Sequence, residues 1–226
     1  ADREERETLF GAEFDHFRET IDWALAEALG GVRWADPKTI NILGNAQLGL
    51  PFHLGHYFNR SVPAHLFAHT RGLVFTNMGQ QWHTPLEGGN PACETNDARI
   101  DEIRPGIRAD SLALVLSTER YLHAVLEHLG TQPSPPAVKW VKSGMFEKSE
   151  QVMSYIADVV ALLMRLKGEH KLQTVYLYCG LPFSVVPLLA ANLRYVVPNL
   201  VFMEYRSDLQ DRGAAPGEMY VALPQA

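Results

Sequence analysis

The segment Gly49-Leu50-Pro51-Phe52 returns as Gly180-Leu181-Pro182-Phe183, a repeat that narrows the architecture more than any other pattern in the chain. A strand-like run precedes each copy (Ile40–Leu43 and Val175–Tyr178) and an apolar helical run follows. Then come a proline (Pro63, Pro198) and another strand-like run (His65–His69, Leu200–Tyr205). Two related β-α-β units are therefore expected. One falls in residues 1–105 with an added N-terminal helix, the other in residues 106–226, and together they make one domain. The first copy has the longer strand-to-helix loop, Gly44–Leu48, which puts extra side chains over one end of its sheet.

The intervening segments support that architecture. Phe10, Phe14, Phe17, Ile21, Leu25 and Ala28 recur at helical spacing before Gly30-Gly31, a helix with a glycine stop. Thr39–Leu43, Ala64–His69 and Leu73–Thr76 read as strands, and Gly79–Asp101, rich in Gly, Pro, Asn and Gln, reads as a loop. Leu112–Leu116 is a buried-strand run. Ser117 or Thr118 is placed to cap the helix carrying Tyr121, Val125, Leu126 and Leu129, and Gly130 ends it before the turn Thr131–Pro136. Val138–Val141 is the next strand, Val152 to Leu166 a helix closed by Gly168, and Thr174–Tyr178 another strand. This alternation predicts an α/β fold of two Rossmann-like halves with mostly parallel sheets covered on both faces.

With 226 residues, 46% of them hydrophobic, the chain is long enough to bury a substantial core. No apolar run approaches the roughly 20 residues of a membrane span, and the acidic opening is unlike a secretion signal, so the cytosol is the expected compartment. Two cysteines, Cys93 and Cys179, are too few for a disulfide framework. Residues 1–30 carry nine acids and three bases, which accounts for the whole net charge of −6. The balanced remainder gives no basic surface for long nucleic acid but leaves room for a small anion in a local pocket. The opening ADREERE has no initiator Met and runs straight into a helix, which points to a segment of a longer protein.

Open parallel sheets bind ligands beyond the carboxyl ends of their strands, where glycine turns let backbone come close. Both GLPF segments are expected there, facing one shared cleft. Pro187 inside a helix would cost about 3 kcal/mol, so Ser184 is the expected N-cap, Pro187 falls in the first turn, and Gly180–Phe183 is loop. Free N–H groups at such a helix start suit a phosphate. The alternative is that each GLPF segment is only a tight connection.

The run TVYLYCGLPFSVVPLLAANL with VPNLVFMEY and the closing MYVALP resembles the end of SAVED domains. SLALVLSTERYLHAVLEHL and RGLVFTNMGQQW are similar to earlier segments of that family. The resemblance spans roughly residues 10–226. It implies two fused CARF-like halves that sense cyclic oligoadenylates or related cyclic oligonucleotides in bacterial antiphage defence of the CBASS and type III CRISPR kinds. It also implies an attached or partner effector of nuclease, protease or TIR type, activated by ligand-driven oligomerisation. No effector motif is visible.

Residue by residue, the resemblance points to Gly180, Leu181 and Pro182, and to Ser117 and Thr118, for phosphate and ribose contacts. In the first half it points to Gln47, Leu48 and Gly49, with Trp82 placed to stack on a base, worth about 1–3 kcal/mol, or else to cover the core. Lys142 and Ser143 follow a strand, and Lys142 offers a further phosphate contact or a solvated surface charge. His53 with His56, and His65 with His69, lack acidic or thiol partners at ligand spacing, so no metal is expected. Cys179 reads as a small core residue rather than a nucleophile, and the dinucleotide fingerprint and P-loop are absent. No cofactor is expected, the ligand being cyclic tri- or tetra-adenylate or a relative. A non-enzymatic sensor is favoured over a ring nuclease or nucleotide-processing hydrolase on the same fold.

Overall fold

The computed structural model describes residues 12, 14–20, 22–23, 40–43, 48–55, 64–67, 74–76, 93–95, 108–194, 196–207, 209 and 213–223. For 40–43, 64–67, 74–76, 93–95, 108–109 and 216 the description is of the backbone alone.

Two sheets form. The first joins β1 (Ile40–Leu43) and β2 (Ala64–Phe67) in parallel, with β3 (Val74–Thr76) antiparallel to β2. The second sheet has six strands in the order β4-β6-β5-β7-β8-β9. Its parallel centre is β6 (Pro136–Ser143), β5 (Arg108–Ser117), β7 (Thr174–Cys179) and β8 (Asn199–Tyr205). Antiparallel edges close it, β4 (Cys93–Thr95) on β6 and β9 (Tyr220–Ala222) on β8.

The apolar run of β5 is continuous because both of its faces are covered. Leu112, Leu114 and Leu116 point to one cluster, alternating with Ala113 and Val115, which point to the other. On the second face lies α2 (Glu119–Gly130), which contributes Leu122, Val125 and Leu129. On the first lie α1 (Gly49–Gly55), α3 (Ser149–His170) and α4 (Val186–Leu193). Leu114, Leu163 and Leu189 are wholly buried, each contributing roughly 1.5–3 kcal/mol.

Each GLPF segment belongs to a parallel β-α-β unit: β1-α1-β2 for the first, β7-α4-β8 for the second. The two corresponding helices pack on each other. A Cβ at Gly55 of α1 would overlap the Pro187 backbone and the Ala190 methyl of α4, so this approach needs a glycine.

Several local expectations are corrected. The first GLPF copy is helical, with the Phe52 N–H bonded to the Leu48 carbonyl at 3.0 Å, whereas the second is an open connection. The sequence explains the difference: Pro187 keeps α4 from starting earlier than its own first turn, and the matching position in the first copy is His56. Val185, not Ser184, takes the N-cap position of α4, and the Ser184 hydroxyl is buried without a hydrogen-bond partner among the described residues. Gly168 does not close α3. The helix runs on to His170, and Lys171 turns the chain at φ 50°, which sends Leu172 into the core. Lys142 and Ser143 end β6 rather than follow it, and β4 lies inside the segment read as loop. In the N-terminal helical stretch Phe14 is buried as expected, but Phe17 is exposed.

Candidate functional site

The sheet order dictates where a site forms. After β5 the chain passes to α2 on one face, and after β7 to α4 on the other. Because β5 and β7 are hydrogen-bonded neighbours, their connections diverge and leave a crevice at their carboxyl ends. A cavity of about 280 Å³ lies there. Ser117, Tyr121, Gly180, Leu181, Glu204 and Tyr205 are in its wall.

The end of β5 is fixed by Trp140, whose Nε1–H donates to the Ser117 carbonyl at 3.1 Å. The Ser117 hydroxyl is 1% exposed, lines the cavity, and has no hydrogen-bond partner among the described residues. Thr118 is extended at the N-cap of α2 beside Ser117 and makes no side-chain cap bond, while its carbonyl accepts the Tyr121 N–H at 3.2 Å. Across the crevice the Gly180 N–H continues the ladder to the Leu116 carbonyl at 2.8 Å. A Cβ on Gly180 would come within 3.0 Å of the Ser117 Cβ and 3.1 Å of the Tyr121 ring, so glycine sets the width of the crevice.

The first GLPF segment meets the same cavity through Leu48. Glu204, at the end of β8, accepts the Leu48 N–H at 3.1 Å on Oε1 and the Gly49 N–H on Oε2. The backbone donors at the start of α1 are thus held by a carboxyl group from the other β-α-β unit. Burial pushes the Glu204 carboxyl up to about 7, opposed by these two N–H bonds and by Arg206.

Aromatic residues build the remaining wall. Tyr220 of β9 packs edge-on against Tyr205 and Tyr178, with ring centroids at 5.2 and 5.0 Å, and buried His128 stands beside Tyr178 at 5.9 Å. His128 Nδ1 lies 2.6 Å from the Gly217 carbonyl, which ties α2 to the turn Pro216–Glu218 before β9. Burial raises the Tyr178 and Tyr220 hydroxyls above the usual phenol range, and pushes the Cys179 thiol up to about 12.

The structure thus brings Leu48, Ser117, Gly180 and Leu181 into one cavity wall, with Gly49 and Thr118 adjoining them. Lys142 pairs with Ser117 in the β5–β6 ladder and Ser143 is buried opposite Cys93, both one strand away from the cavity lining. Pro182 is outside the lining, its carbonyl accepting the Val185 N–H at 2.9 Å. Gln47 and Trp82 lie outside the described residues. So do His56 and His69, while His53 sits on α1 against the Asp22 carboxylate at 2.9 Å. Sequence reasoning missed Glu204 and the four tyrosines. An acid inside the apolar strand NLVFMEY was a usable signal for Glu204, whereas Tyr220 reaches the wall only through the antiparallel β8–β9 pairing.

No protein-family model and no curated protein matches the sequence. Solved structures do match the fold. One is the Acinetobacter baumannii Cap4 SAVED/CARF-domain containing receptor with the cyclic trinucleotide 2'3'3'-cAAA. It has TM-score 0.60 and 16% identity, over 82% of this chain and 38% of the receptor chain. The same receptor with 3'3'3'-cAAA gives TM-score 0.57 and 14% identity over the same shares. A third structure of that receptor gives 0.54 and 13%, over 82% of this chain and 35% of the receptor. The chain has a Rossmann-like mixed α/β fold of the SAVED/CARF kind, and spans little more than a third of the receptors' length. Among the described residues no helix is long and apolar enough to cross a membrane.

Proposed function

We propose that this chain is a sensor domain for a cyclic oligonucleotide second messenger, with cyclic tri- or tetra-adenylate as the ligand. The observation that carries the reading is the cavity at the divergence of β5 and β7, in a fold whose solved neighbours hold cyclic trinucleotides. Ser117 and the start of α2 take a phosphate, and the Gly180-Leu181 backbone takes the adjoining ribose or phosphate. Leu48 and Gly49, with Gln47, border the ligand from the other unit, Trp82 stacks on a base, and Lys142 and Ser143 flank the phosphate side. Recognition of this kind needs no nucleophile. The Cys179 thiol, pushed up to about 12, stays protonated at neutral pH.

Ligand binding activates an attached or partner effector of nuclease, protease or TIR type in antiphage defence. Calorimetric titration with cyclic tri- and tetra-adenylate, followed by chromatography of the recovered ligand, tests this reading. Saturable binding with intact ligand is the expected result. Linear products would replace the sensor with a ring nuclease, and no binding of either ring would reject the reading.

A further inference from the structure

We propose that Glu204 reads the base of the ligand: its carboxyl group accepts a hydrogen bond from the exocyclic amino group of a nucleobase lying against the Tyr121 and Tyr205 rings. This rests on the cavity being a cyclic-oligonucleotide site.

Of the tyrosines in the wall, Tyr121 and Tyr205 are exposed, at 42% and 38%, while Tyr178 and Tyr220 are buried behind them. Tyr205 lines the cavity and is braced by Tyr220, so its ring has little freedom to lose on binding. Rings of this kind stack on any base and do not choose among them. The choice must come from a polar group beside them. Glu204 adjoins Tyr205 in the chain, is only 4% exposed, and still lines the cavity.

Among the described residues Glu204 is also incompletely used. A carboxylate offers about four lone-pair positions over its two oxygens. The N–H groups of Leu48 and Gly49 take one position on each oxygen. Among the described residues, the Arg206 guanidinium, the Cys179 thiol and the Tyr220 hydroxyl also lie near it. Held in place by the two N–H bonds, the carboxyl cannot swing away from an ill-matched partner. It therefore favours a base that places an exocyclic amino group, not a carbonyl oxygen, against it. Adenine, guanine and cytosine carry an exocyclic amino group, whereas hypoxanthine and uracil present a carbonyl oxygen in its place, which sets acceptor against acceptor.

The test compares cyclic tri-adenylate with its all-inosine analogue on the wild-type chain and on Glu204→Gln at pH 8.5, above the value of about 7 to which burial pushes the carboxyl, so that Glu204 is ionised and accepts only. For the wild type, the inosine ring is expected to bind at least tenfold more weakly. In Glu204→Gln the ratio is expected to shrink towards one, because the glutamine amide can donate to the hypoxanthine carbonyl. Equal affinities in the wild type would overturn the base-reading role while leaving the sensor reading intact. An unchanged ratio in a folded Glu204→Gln would assign the discrimination to another group and overturn it too. If that variant does not fold, Glu204→Asp, which keeps the charge and shortens the reach of the acceptor, takes its place: a ratio that shrinks supports the role and an unchanged ratio overturns it. Failure of the wild type to bind either ring would reject the sensor reading and this inference together.

Discussion

At Glu204 a titration is built into the fold. The carboxyl group rises from an ordinary value of 4.5 to about 7 on folding, chiefly by burial. Between those values the folded chain holds a proton that the unfolded chain has released, so stability falls as pH rises through the window and levels off above it. The full shift corresponds to about 3 kcal/mol. Acidification from pH 8 to pH 5 should therefore stabilise the wild type relative to Glu204→Gln in denaturant titrations. A difference between the two proteins that does not change with pH would contradict it. Gly180 makes a second prediction at this scale. The added methyl of Gly180→Ala presses on Ser117 and on the Tyr121 ring, which is free to swing outward. Affinity for cyclic tri-adenylate should fall about tenfold, equivalent to about 1.4 kcal/mol, with little loss of thermal stability. A large drop in melting temperature with unchanged affinity would place the strain in the core instead.

Helices and strands were legible where burial dictates their pattern. The two-faced apolar run of β5, the amphipathic spacing of α2 and α3 and the strands flanking each GLPF copy follow from which side chains must leave water. The ends of elements were less legible, because they depend on single bonds. Gly168 carries a stop signal, yet α3 continues because the gain from seating Leu172 outweighs roughly 1–2 kcal/mol for a left-handed Lys171. β4 is three residues long and has no sequence pattern of its own; pairing with β6 makes it a strand. The cavity lining was legible at Ser117 and Gly180, since these lie at strand ends, and not at its tyrosines, which α2, β7, β8 and β9 bring together from distant parts of the chain. Two glycines test how elements are joined. Gly55→Ala puts a methyl into the Pro187 backbone across the α1–α4 contact and should cost about 1–3 kcal/mol. Gly168→Ala, with open space around the new methyl in a helix interior, should instead stabilise by about 0.5–1 kcal/mol. Equal effects in thermal melts would mean that α1 does not seat on α4 in this way.

For the whole molecule, size sets the remaining question. The cavity of about 280 Å³ lies near the lower bound of small-molecule sites, about 300 Å³, and accommodates one base with part of its backbone rather than a ring of three nucleotides. The rest of a bound ring stays outside, as a new surface available to a second copy of the chain. The two β-α-β units are not identical: one begins its helix at GLPF and the other after it. A contact from ligand-bearing face to opposite face would thus be heterologous and need not close, which permits open assemblies. Residues 1–30 carry the whole net charge of −6, which would oppose the approach of unliganded copies by a weak repulsion that salt screens. Assembly requires only that the ligand favour the associated state, and tenfold preference per site is about 1.4 kcal/mol. Sedimentation velocity with and without cyclic tri-adenylate, at low and at physiological salt, should therefore give a larger mass with ligand, and the shift should begin at lower protein concentration as salt rises. Tight binding with an unchanged monomer mass at both salts would reject ligand-driven association of this chain, and would move the assembly contact to the effector.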